Sequence, residues 1–182
     1  MPHVCPWWCG YFIDNRFRRL LHNPEAILGP YVQPGMTGLD FGCGMGFCSI
    51  PMAQLVGDSG KVIAADLQQK MLNGVTKRAG KAGVADRIET HLCESDSIGQ
   101  LEPVDFAVAF YSVHEVPDER RLLEEVFECL RGGSRFLVVE PIIHVTAKHF
   151  ESMVTICQEV GFVVEDRPRI RLSRAVVLVK GG

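Results

Sequence analysis

Leu39-Asp40-Phe41-Gly42-Cys43-Gly44-Met45-Gly46-Phe47 is the stretch from which the rest of the chain is read. With Met36-Thr37-Gly38 before it, its first residues read as a short buried strand. Its glycines read as a tight turn, and the apolar run Phe47 through Val56 as the start of a helix. Glycine lets the backbone turn sharply and lets a ligand approach without meeting a Cβ. A helix N-terminus offers unpaired N–H groups. Strand, glycine turn and helix start together suit a nucleotide-like ligand.

The spacing of the glycines narrows the choice. A dinucleotide fingerprint, G-x-G-x-x-G, needs glycine at 42, 44 and 47. Position 47 is Phe, and the glycines fall at 42, 44 and 46, with Asp40 two residues before the first. An acidic residue, one apolar residue and then G-x-G-x-G resembles the first motif of the class I S-adenosylmethionine-dependent methyltransferases, in particular the small single-domain, quinone-biosynthesis-like kind that acts on small molecules. The resemblance covers roughly residues 31–180. It implies a Rossmann-like α/β fold, with a seven-stranded, mostly parallel sheet, helices on both faces and a closing antiparallel hairpin. It further implies S-adenosylmethionine as cofactor, S-adenosylhomocysteine as product and a small-molecule acceptor; a homodimer is compatible with it.

Composition sets the outer bounds. A chain of 182 residues with 47% hydrophobic and 23% charged residues suits one globular domain. A net charge of -3 gives no basic footprint for nucleic acid. The apolar runs are strand-sized, so no membrane span is expected, and the N-terminus lacks a signal peptide's charged and apolar regions. Seven scattered Cys argue against a disulfide framework and for a reducing, cytoplasmic setting. Cys5 and Cys9, with His3 and His22 nearby, lack a second Cys pair at zinc-like spacing. Ordinary thiols are the expectation there, and no metal.

In order along the chain, residues 1–30 form an N-terminal segment dense in aromatics, with Trp7, Trp8, Tyr11 and Phe12. The resemblance makes it a lid over the ligand; a cover for a sheet edge is the competing role. Residues 31–182 form the cofactor-binding domain. Lys61–Asp66 reads as a second strand ending in an acid, 20 residues after Gly46. A carboxylate at that tip can accept both ribose hydroxyls of an adenosyl ligand. A helix from Leu67 to Ala82, capped by Gly83, leads to a strand at Ile88–Leu92, and a central strand follows at Val104–Phe110. Pro117 or Asp118 opens a helix with Leu122, Leu123, Val126, Phe127 and Leu130 on one face, closed by Gly132-Gly133. A strand at Arg135–Pro141, a helix at Thr146–Val160 and strands at 161–165 and 174–180 complete the pattern. Arg167, Arg169 and Arg171 alternate and would share one face of a strand, where they serve an anionic substrate, a partner or a solvated edge.

Site residues follow from the resemblance. Asp40, Gly42, Cys43, Gly44 and Gly46 form the glycine loop against the cofactor. Asp66 and Leu67 lie at the ribose. Asp96, with Glu94 in reserve, lies at the adenine amino group, flanked by Ser97, and Phe110 ends the central strand beside the cofactor. Asp105, near the start of that strand, is structural. The loop Tyr111–Asp118 lies at the ligand side of the sheet, because ligands of open α/β sheets bind outside the carboxyl ends of strands. His114, Glu115, Glu140 and His144 fall at those ends. His114 is the expected base or substrate anchor, with Glu115 and Tyr111 as further catalytic candidates; a loop-ordering hydrogen bond is the alternative for His114.

Methyl transfer is an in-line displacement. The protein supplies alignment and exclusion of water, and needs a base only if the acceptor loses a proton near the transition state. Two other functions compete. One is a module that binds S-adenosylmethionine or S-adenosylhomocysteine without catalysis. The other is a dinucleotide oxidoreductase, disfavoured by Phe47 and by the closing hairpin. The aromatic N-terminal segment suits an apolar or planar acceptor, and thiols, amines and metalloid species stay open.

Overall fold

The computed structural model describes residues 22–181. The aromatic stretch at residues 7–12 and the pair Cys5/Cys9 lie outside the described residues. Fourteen elements follow one another from Pro24 to Lys180, and seven of them are strands of one sheet. The strands are β1 (Thr37–Phe41), β2 (Lys61–Asp66), β3 (Ile88–Leu92), β4 (Val104–Phe110), β5 (Leu130–Pro141), β6 (Phe162–Asp166) and β7 (Ser173–Lys180). Their spatial order is β3-β2-β1-β4-β5-β7-β6. All neighbouring pairs are parallel except those made by β7, which is antiparallel to both β5 and β6. This is the expected mostly parallel sheet with one reversed strand and a closing hairpin.

The core explains the strands' composition. β4 reads Val-Asp-Phe-Ala-Val-Ala-Phe and is buried at all positions but Asp105. Phe106, Val108 and Phe110 enter one apolar layer, while Val104, Ala107 and Ala109 enter the other. A strand covered on both faces needs apolar side chains at every position rather than alternation. On one face pack α4 (Glu119–Cys129) and α5 (Ala147–Val160), through Leu122, Leu123, Val126, Phe150, Val154 and Cys157. On the other pack α1 (Pro24–Leu28) and α2 (Ser49–Val56), with α3 (Gln69–Ala82) beside them through Met71, Leu72, Val75 and Ala79. Helix α3 ends on Gly83 at φ 70, and α5 starts on the Thr146 side chain, which accepts the His149 N–H.

Three local expectations are corrected. Helix α2 starts at Ser49, not Phe47, because a turn precedes it in which the Gly46 N–H donates to Cys43 O (2.9 Å) and Gly46 takes φ 87. Helix α4 ends at Cys129, and Leu130 already belongs to β5. Gly132-Gly133 therefore lies inside β5 and does not close the helix. Between its pairs with Val104 and Phe106, β5 advances from Leu130 to Arg135, and Gly133 at φ 78 sits in that irregular stretch. Arg167, Arg169 and Arg171 are not on a strand. β6 stops at Asp166, and Arg167 pairs with Glu151 of α5.

β1 and β4 lie side by side while the connections leave them in opposite directions. A crevice at such a switch point, outside the carboxyl ends of the strands, is where open α/β sheets bind ligands. Asp105 lies at the far end of β4, where it accepts the Thr37 N–H (2.8 Å) and pairs with Arg131 (2.6 Å), as its structural assignment requires.

Candidate active site

The turn after β1 holds three glycines at positive φ: Gly42 (64), Gly44 (53) and Gly46 (87). Their side-chain positions have different surroundings. A Cβ at Gly42 would lie 2.3 Å from the Ser112 Cβ, so the loop after β4 can close on this turn only over glycine. Ser112 is held there by donating its hydroxyl to Phe41 O (2.9 Å). A Cβ at Gly44 would meet nothing within 4 Å, and Gly44 lines a cavity. Gly46 faces Ile50 and does not line that cavity.

The cavity measures about 860 Å³ and lies over the carboxyl ends of β1, β2 and β4. It falls in the upper part of the roughly 300–1,000 Å³ range of ligand clefts. Of the residues expected at the site, Asp40, Gly42, Cys43, Gly44, Asp66, Leu67, Asp96, Ser97, Phe110, Tyr111, His114 and Glu115 all line it. At one side Asp66, nearly buried, accepts the Gly44 N–H on Oδ2 (2.9 Å) and the Gln68 N–H on Oδ1 (2.8 Å). Burial pushes its pKa up, against the lowering effect of the hydrogen bonds from Gln68, Gly44 and Leu67. Asp40, also buried, accepts the hydroxyl of Ser49, the first residue of α2, and so ties strand to helix. Asp96 pairs with Arg121 (2.8 Å), and the Ser97 hydroxyl donates to Glu125 (2.8 Å).

The other side of the cavity is built by the loop after β4. Tyr111 adopts φ 66, uncommon for a non-glycine residue. Its hydroxyl meets Ser173 Oγ (2.6 Å), and its ring packs against Phe110 and His22. The short 3₁₀ turn Val113–Glu115 carries His114. Its Nδ1 meets Glu140 Oε2, while Glu140 Oε1 accepts the Val113 N–H (3.0 Å). Desolvation, the largest influence on His114, pulls its pKa down. The Glu140 hydrogen bond and the charges of Glu140, Glu115 and Glu119 outweigh it, so the pKa is raised. His144 stacks on His114 with ring centroids 5.9 Å apart. Of the cavity cysteines Cys43, Cys48 and Cys93, the first and last are thiols at neutral pH. Burial raises both, and Cys93 is pushed up to about 12, so neither of these two thiols is an activated nucleophile.

The sequence placed Ser112 only within the loop 111–118, without a role, and gave no sign of Gln68 or Glu125. Ser112 could have been found, since a G-x-G turn needs something pressed against it. Glu125, on a helix whose other cavity contact is Leu122, left no local signal.

A methyltransferase domain family model matches residues 33–165 of the chain. Over 124 residues the chain is 31% identical to an arsenite methyltransferase from Halobacterium salinarum, covering 66% of this chain and 30% of that protein. Over 125 residues it is 27% identical to the ubiquinone/menaquinone biosynthesis C-methyltransferase UbiE from Escherichia coli, covering 66% and 50%. The chain thus spans a third to a half of the length of these relatives. Among solved structures, an S-adenosylmethionine-dependent methyltransferase from Aquifex aeolicus superposes with a TM-score of 0.86 at 23% identity, over 97% of this chain and all of that one. The [4+2]-cyclase SpnF superposes at 0.75 with 14% identity, over 87% and 81%, and shares the fold alone. The chain belongs to the methyltransferase domain family, whose cofactor is S-adenosylmethionine.

Proposed function

We propose that the chain transfers a methyl group from S-adenosylmethionine to a small-molecule acceptor within the cavity over β1, β2 and β4. The observation that carries this reading is the cavity's charge. Among the described residues that line it are seven carboxylates, those of Asp40, Asp66, Glu94, Asp96, Glu115, Asp118 and Glu125, and no Lys or Arg. Such a lining suits a ligand bearing a sulfonium and an ammonium group, and disfavours the pyrophosphate of a dinucleotide.

The residues fit the cofactor in two further ways. The open position beside Gly44 lets a ligand lie against bare backbone. The Asp66 carboxylate, with about four lone-pair sites, keeps acceptor capacity for the ribose beyond its backbone N–H partners. In this reading Gly42, Cys43 and Gly44 support the amino-acid end. Asp96, Ser97 and Leu67 flank the adenosyl group. When bound, S-adenosylmethionine supplies an electrophilic methyl group on a sulfonium. His114, Glu115 and Tyr111 face the acceptor, and Val116, Pro117, Leu122 and Ile143 give its compartment an apolar wall. The protein aligns the reactants and excludes water, which can lower a barrier by roughly 7–11 kcal/mol.

The test uses the full chain with methyl-labelled S-adenosylmethionine and a cell extract separated into small-molecule, protein and nucleic-acid fractions. Label is expected in the small-molecule fraction. Label confined to protein or nucleic acid would contradict the acceptor class, and no transfer in any fraction would favour a binding module.

A further inference from the structure

The geometry points to Glu140 as the positioning residue that fixes the tautomer of His114, so that His114 Nε2 takes a proton from the acceptor. This rests on the proposed methyl transfer, because it names the base of that site. Glu140 is the penultimate residue of β5, and 2% of it is exposed. A carboxylate that deep requires partners, because an unpaired buried charge is strongly disfavoured. It has two, and they are adjacent in sequence. Oε1 accepts the Val113 N–H at 3.0 Å, and Oε2 meets His114 Nδ1. β5 thereby holds the turn after β4 at two points.

The Val113 contact orients the pair. A backbone N–H can only donate, so it fixes Glu140 as an acceptor on that side. With the second oxygen also accepting, Nδ1 of a neutral His114 carries the ring proton and Nε2 keeps the lone pair. Nε2 has no hydrogen-bond partner among the described residues, and His114 lines the cavity. The other ionisable groups around the ring are Glu115 on the same turn, Glu119 of α4 and the stacked His144. His149 of α5 binds Glu119 at 2.6 Å. In the step, the acceptor's proton passes to Nε2, and the electron pair it leaves behind forms the bond to the methyl carbon. The pair of the broken carbon–sulfur bond stays on sulfur. The acceptor class is therefore one that carries a removable proton on its nucleophilic atom.

The tautomer can be read without acceptor or cofactor, so it stands or falls apart from the transfer itself. In ¹⁵N-histidine NMR of the full chain, with His114→Ala to assign the signal, neutral His114 is expected to carry its proton on Nδ1. A proton on Nε2 would overturn the assignment. Glu140→Gln sharpens the test. The amide has one acceptor, and the Val113 N–H needs it, so the NH₂ group turns to Nδ1 and drives the ring proton to Nε2. The expected result is a reversed tautomer, cofactor affinity unchanged, and a methyl-transfer kcat lowered roughly 10- to 100-fold, as for other carboxylates that orient a functional histidine. Adding Glu140→Gln to His114→Ala should cost nothing further. A folded Glu140→Gln chain with the original tautomer and rate, or losses that add in the double variant, would refute the role. Should Glu140→Gln fail to fold, the wild-type spectrum alone decides.

Discussion

His114→Ala is expected to lower kcat for methyl transfer roughly 10²- to 10⁴-fold, the span that a general base contributes. Cofactor affinity should be unchanged, because His114 sits on the turn after β4 and the glycine turn and Asp66 lie elsewhere in the cavity. The pH profile gives the sign. His114 accepts a proton only when neutral, so the rate should rise with pH through its pKa. The Glu140 contact and the nearby carboxylates raise that pKa from 6.5, so the rise should be centred above 6.5. His114→Ala should erase it. The same shift bears on stability. The raised pKa means that the protonated His114–Glu140 pair stabilises the fold fully below the unfolded value, and that this contribution is lost as pH rises through the folded value. Steady-state kinetics from pH 5.5 to 9 and melting curves over the same range check both. A folded His114→Ala chain with the original kcat would remove His114 from the mechanism.

Asp66→Asn should weaken S-adenosylmethionine binding. The carboxylate accepts backbone N–H groups now and, in the proposed complex, a ribose hydroxyl as well. Asn presents one NH₂ where an acceptor is needed. Each lost charge-assisted hydrogen bond is worth about 1.5–3 kcal/mol, roughly 10- to 100-fold in affinity. Acid should act the same way on the wild type. Burial raises the Asp66 pKa above its ordinary value of 3.8, so affinity should begin to fall at a higher pH than for an exposed aspartate. Calorimetry on folded variant and wild type measures the difference. Equal affinity would remove the ribose assignment.

Much of this was legible because local chemistry and tertiary position agree. The strand at Lys61–Asp66 was readable to the residue, since four apolar residues, Val62 to Ala65, run unbroken into an acid. Gly83 and Thr146 mark helix ends by their own conformational and hydrogen-bonding preferences. The boundary of α4 and β5 was not legible. Gly132-Gly133 is ordinary helix punctuation, and only pairing with β4 makes an irregular strand of it. The alternating arginines looked like a strand face, yet the β6–β7 connection sets their place, with Leu172 at φ 54 just before β7. In the site, the glycine turn could be read from spacing. The pairing of His114 with Glu140 spans 26 residues and exists because the sheet order puts β5 beside β4. No local pattern reports that order.

The fold leaves the reaction open, as its likeness to a cyclase shows. The cavity's carboxylate lining and its pairing of a glycine turn with a histidine–glutamate unit narrow it. The most direct measurement of the cavity's ligand is calorimetric titration of the full chain with S-adenosylmethionine, S-adenosylhomocysteine and NAD in parallel. One site per chain is expected for each sulfur ligand, and no binding of NAD. Binding of NAD with no heat from either sulfur ligand would contradict this expectation.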